Sequence, residues 1–132
     1  MRSVIISSLL MIILIIAISI NAYYINSTST EMLDMIFALP SEYNYISDLD
    51  EKTIEKYKTE INNLAAKWEK NARRISYVSR YSDFESVNSS VYLVKEYFFA
   101  GEYAHYAAAR KKLIAALEKQ KQNELPTFDN IF

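Results

Sequence analysis

The chain has 132 residues, 51% of them apolar and 23% charged, with 15 basic side chains against 16 acidic ones. That is the size of one domain, and so much apolar content at so little net charge excludes intrinsic disorder. One Gly and no Cys exclude glycine-rich phosphate loops, disulfide scaffolds and thiolate metal sites. The balanced charge gives no argument for a nucleic-acid partner, and abundant Leu, Ile, Ala, Glu and Lys with few turn-formers leave a helical protein.

The first element is apolar. From Val4 to Ile25 the chain carries no charge, and only Ser7, Ser8, Ser19 and Asn21 interrupt it with polar side chains. A helix needs about 20 residues to cross a hydrocarbon core, and in lipid a single segment satisfies its backbone only as a helix. Tyr23 and Tyr24 stand at its end, where amphipathic rings suit the headgroup layer. The segment reads as a transmembrane anchor over residues 1–25, with residues 26–132 as a separate helical domain. An uncleaved anchor is favoured over a cleaved signal peptide, although Ile20-Asn21-Ala22 is a passable cleavage site. Arg2 precedes the span and the first charges after it are Glu31 and Asp34. Positive charge stays inside, so the N-terminus is expected in the cytoplasm and the C-terminal domain outside.

After the span, Thr28 and Glu31 have capping-box spacing. Met32, Met35, Ile36 and Leu39 recur at helical spacing until Pro40, a short helix or an extension of the anchor. Ser41 to Asp50 reads as a connection. Ile54, Tyr57, Ile61, Leu64, Trp68, Ile75 and Val78 then form one stripe, broken where Asn71 takes a seam position, and predict a helix over Glu51 to Arg80. Ser82 and Glu85 have a second capping-box spacing and open a helix with the stripe Phe84, Val87, Val91, Val94 and Phe98, closed by Gly101. A last helix over Glu102 to Gln122 places Tyr103, Ala107, Arg110, Ile114 and Leu117 on one side. The terminal Phe128, Ile131 and Phe132 are expected to dock. Short connections favour antiparallel neighbours. The fold expected is all-α, an N-terminal transmembrane helix followed by an antiparallel up-down bundle of three to four helices.

Several of these residues carry a resemblance. A membrane helix precedes Asn63-Leu64-Ala65-Ala66-Lys67-Trp68, then a Ser82-Asp83-Phe84-Glu85 helix start, a Gly101-Glu102 turn and a closing Phe128-Asp129-Asn130-Ile131-Phe132. In these features the chain resembles the small membrane-anchored helical proteins of Firmicutes classified as domain of unknown function 4363, over roughly Val4 to Phe132. The resemblance implies the same architecture and no catalytic residues.

No constellation points to catalysis. His105 is the only histidine, without the further ligands a metal site needs or a nucleophile that a general base would serve. A carboxylate pair such as Glu55 and Glu118 would have to converge to make an enzyme. Trp68, Tyr77, Tyr81, Tyr92 and Tyr106 are candidates for a ligand or partner surface, since aromatic residues are enriched at interfaces, although core packing is the ordinary role of such residues. Lys67, Lys70, Arg73 and Arg74, with Arg110, Lys111 and Lys112, would merge into an anion-binding patch if their helices lay side by side. Residues 26–66 hold three basic and eight acidic groups, residues 67–132 eleven basic and eight acidic. The function expected is non-enzymatic, without cofactor: a membrane-anchored bundle for protein interaction, self-association or scaffolding at the cell envelope. The alternative is an extracytoplasmic sensor or small-ligand module that signals through a membrane partner.

Overall fold

A computed structural model describes residues 1–123 and contains α1 (Arg2–Phe37), α2 (Tyr43–Ser47), α3 (Glu51–Val78), α4 (Tyr81–Phe99) and α5 (Tyr103–Asn123), with no strand among the described residues. The fold is all-α, as the stripes predict. The expected docking of Phe128, Ile131 and Phe132 lies outside the described residues.

Helix α1 is a single rod of 36 residues, about 54 Å long at 1.5 Å per residue. The Thr28–Glu31 capping box does not start a new helix. The run of Ser and Thr continues the helix without a break, with Thr30 Oγ1 donating back to the Asn26 carbonyl at 2.8 Å. Pro40 ends the rod: the residue before a proline is pushed out of helical conformation, and helix gives way at Ala38.

Helices α1, α3, α4 and α5 alternate in direction and form a ring in which α1 packs on α3, α3 on α4, α4 on α5 and α5 on α1. The direction of each pair is read from its contacts. Glu31 and Tyr24 of α1 meet Lys67 and Asn71 of α3, and Ser29 and Pro40 meet Gln120 and Tyr106 of α5. The bundle is therefore up-down-up-down, with the distal half of the apolar helix as its first member. The interior is closed by Ile25, Met32 and Ile36 of α1, Leu64 and Trp68 of α3, Val94 and Phe98 of α4, and Tyr106 and Leu113 of α5.

The helix boundaries have local causes. Asp50 caps α3 by accepting from the Thr53 N–H at 3.1 Å. Hydrogen bonds from Thr53, its hydroxyl first, hold that carboxyl below the usual range. The second capping box is not formed, because the chain reverses through Ser79 and Arg80 in extended conformation and α4 begins at Tyr81. Ser82 therefore lies inside the first turn, where its carbonyl accepts from Ser86 Oγ. At the other end Gly101 takes φ 76°. Its N–H bonds the Phe98 carbonyl at 3.1 Å and the Glu102 N–H bonds that of Tyr97 at 2.9 Å, a Schellman closure. The connection from Ser41 to Asp50 holds the short α2, pinned by buried Ile46.

The stripe of α5 is rotated from its expected register. Tyr106, Ala109, Arg110, Leu113, Ala116, Leu117 and Gln120 are buried, while Ala107 and Ile114 are only half-buried. Alanines stand all round this helix, so apolar spacing does not single out one face. Contact of Tyr106 with Phe98, 5.0 Å between ring centroids, is part of what sets the face.

Trp68 is wholly buried, 5.5 Å from the Phe84 ring, with Nε1 donating to Asn88 Oδ1 at 2.9 Å. Replacing Trp68 by Ala is expected to cost about 3–5 kcal/mol of unfolding free energy, measured by circular dichroism of the full chain in detergent under denaturant. Gly101→Ala meets no atom within 4 Å, so only the left-handed backbone resists it, at about 1–2 kcal/mol. In the same assay Gly101→Asn is expected to lose less than Gly101→Ala.

Candidate functional site

The region with most chemistry lies where α1 enters the bundle. Val4 to Ile20 expose every large apolar side chain, Ile15 at 56% for example. One turn later Ala22 and Ile25 are buried in the core. No spacer separates the apolar rod from the bundle, and the 25/26 boundary expected between anchor and domain falls within one helix, between buried Ile25 and half-buried Asn26.

Three side chains of α3 grip α1 at that entry. Asn71, half-buried, accepts from the Tyr24 hydroxyl and donates through Nδ2 to the Lys67 carbonyl at 2.8 Å. Arg74 lies over the Tyr24 ring, its Cζ 3.8 Å from the centroid, as a cation–π contact. Lys67 pairs with Glu31. Together they line a groove between α1 and α3 with Ile20, Ser27 and Thr28. The interruption of the α3 stripe at Asn71 was the sequence signal for this brace, since a polar residue in a seam position needs a partner when buried.

On the opposite side of α1, Gln120 Nε2 donates to Ser29 Oγ at 3.0 Å, both residues fully buried. At the far end the Tyr106 hydroxyl donates to the Pro40 carbonyl at 2.8 Å, also buried. Burial pushes the Tyr106 phenol well above its ordinary value of 10.0, against a smaller opposing effect of Arg110. Ser29, Gln120 and Asn88 carried no sequence signal, because a polar residue on a helix reveals its partner only once the helices are assembled.

The aromatic candidates separate into two groups. Trp68 and Tyr106 have no exposed surface and are core residues, not a ligand or partner surface, because their rings fill the space between helices. Tyr77, Tyr81 and Tyr92 are exposed at 75%, 78% and 49%. Tyr77 and Tyr81 flank the α3–α4 connection, and Tyr92 lies further along α4.

The basic candidates do not merge. Helices α3 and α5 stand at opposite corners of the ring, each packed on α1 and α4, so Lys67, Lys70, Arg73 and Arg74 are separated from Lys111 and Lys112. Arg110 is buried, with its Nε unpartnered, and belongs to no surface patch. Lys67 and Arg74 are occupied by Glu31 and Tyr24, while Lys70 and Arg73 are exposed. Arg80, outside the expected cluster, is exposed beside Tyr81.

His105 is exposed and stacks on Tyr97 at 5.1 Å. Glu55 lies in the first turns of α3, twelve residues before Lys67, whereas Glu118 lies near the level of Ser29, so the two carboxylates do not converge. Among the described residues no three His, Cys, Asp or Glu side chains gather as a metal site. Compared with family models, with curated proteins and with solved structures, the chain found no match.

The Tyr106 lock has a testable pH signature. Tyr106→Phe leaves the buried Pro40 carbonyl without its donor and is expected to cost about 1–3 kcal/mol at pH 8. The raised phenol stays protonated in the folded state after the unfolded chain begins to ionise near 10.0. Its contribution is thus complete below that pH and is lost as pH rises through the alkaline range. The stability gap between wild type and Tyr106→Phe is expected to narrow above pH 10, and a gap that stays constant to pH 11.5 would count against the lock.

Proposed function

We propose that this chain is a single-pass membrane protein whose helical bundle stands outside the cytoplasm and serves protein interaction or scaffolding at the cell envelope. The carrying observation is α1, one helix long and apolar enough to cross a membrane, whose exposed apolar half runs straight into the core of the bundle. A core helix would bury its apolar face in the protein. Here every large apolar side chain from Val4 to Ile20 is exposed, and such a surface in water is strongly unfavourable.

The same continuity favours retention of the anchor over cleavage. Ala22, at the end of the passable cleavage site, is 6% exposed and Ile25 is 0% exposed, so processing there would cut the first helix of the bundle inside its packed portion. Orientation rests on Arg2 before the span and the acidic Glu31 and Asp34 after it. The interaction role rests on Tyr92, exposed at 49% on the side of the bundle, in the manner of interface aromatics. The resemblance to the domain of unknown function 4363 proteins implies the same architecture.

Because the chain has no cysteine, single substitutions report topology directly. In intact cells Ser86→Cys is expected to react with a membrane-impermeant maleimide and Ser3→Cys only after permeabilisation. The reverse pattern would invert the orientation, and release of the protein by alkaline carbonate would remove the anchor. A photo-crosslinker at position 92 is expected to trap a discrete protein partner or a second copy in native membranes. Adducts with lipid alone would remove the interaction role.

A further inference from the structure

We infer that the α3–α4 corner is a docking surface for anionic lipid headgroups, which hold the bundle in a set posture on the membrane from which it emerges. The inference rests on the membrane-anchor reading and adds to it a surface, a partner chemistry and a function for Lys70, Arg73 and Arg80.

The geometry comes from α1. Starting at Val4, about 20 residues cross the hydrocarbon layer, which places Tyr23 at its boundary. The bundle begins there too, with Ala22 buried and Tyr23 exposed at 76%. Arg74 lies on Tyr24 and α3 runs antiparallel to α1. Everything in α3 after Arg74 therefore descends beside the part of α1 that precedes Tyr24. The last turn of α3, the Ser79-Arg80 connection and the first turn of α4 must then reach the headgroup layer.

The composition of that corner fits the place. Residues 70–82 contain Lys70, Arg73, Arg74 and Arg80 and no acidic residue, and Asp83, the acidic residue in the first turn of α4, is buried and paired with Lys119. Tyr77 and Tyr81 are exposed at 75% and 78%, as Tyr23 is at 76%, and amphipathic rings partition into the interface. The connection at the opposite end has the reverse charge, with Glu42, Asp48 and Asp50 exposed and no basic residue within residues 41–50, before Glu51 and Lys52 open α3. A bundle with its basic end at the anchor and its acidic end away from it is polarised so that an anionic surface attracts the one and repels the other.

The test uses the full chain, spin-labelled at a single cysteine and reconstituted in vesicles. Ser82→Cys reports the corner, Asn44→Cys the distal end and Ile13→Cys the span. In vesicles containing phosphatidylglycerol the Ser82 label is expected to be shielded from a water-soluble relaxation agent while the Asn44 label is not. Shielding should weaken in pure phosphatidylcholine and in molar salt, where the screening length falls from about 10 Å to about 3 Å. Arg73→Gln and Arg80→Gln touch neither the Tyr24 brace nor the core, and each is expected to reduce the docked-to-free ratio about fivefold. If the Ile13 label is open to water, the span is lost and the docking surface with it. An Ile13 label that is shielded beside a Ser82 label as accessible as Asn44 in anionic vesicles overturns the docking alone and leaves the corner free for a protein. Shielding that ignores lipid charge and both arginines also overturns it.

Discussion

One rod has to satisfy two surroundings. Up to Ile20 helix α1 is apolar on every side and exposed on every side; from Ala22 it buries one face against α3 and α5. An α-helix satisfies its own backbone in either setting, so it passes from one to the other without a connector. The rest of the architecture follows from this junction. With α1 as its first member the bundle has four long helices among the described residues, and the three stripes of α3, α4 and α5, none of which can be buried by its own helix, close around it.

The register between the helices depends on a few polar residues in an otherwise apolar interior. Ser29 with Gln120, Trp68 with Asn88, and Tyr106 with the Pro40 carbonyl each join two elements inside the bundle, and Tyr24 with Asn71 does so at the entry. The net gain from each bond is modest, but leaving a buried donor or acceptor unpaired costs more. A slip of α5 by one turn along α1 would strand Gln120 and Tyr106 together. Apolar contacts alone would tolerate such a slip more easily, since Ala repeats along α5 and Ile along α1.

Charge is arranged along the bundle rather than around it. The connection before α3 is acidic, and the last turns of α3 and the connection after it are basic. Because α3 runs toward the exposed apolar half of α1, the basic end is the one beside that half. Clusters far apart in sequence from the apolar segment are thus its spatial neighbours, which is the basis for reading the corner as a headgroup surface.

Within single helices the sequence was sufficient. The stripe from Ile54 to Val78, that from Phe84 to Phe98, the stop at Gly101 and the apolar run after Val4 are local patterns, and each element formed where its pattern lies. Neither capping-box spacing starts a helix: α1 runs on through Thr28, and α4 begins at Tyr81, one residue before Ser82. What lay beyond the sequence is relational. That α1 continues through Thr28, that Tyr106 and Arg110 turn inward on an alanine-rich α5, and that α3 and α5 stand at opposite corners so their basic residues stay apart are set by how surfaces fit together. Periodicity along one helix records which face is apolar; which partner covers that face, and at what height, is decided only when the helices pack.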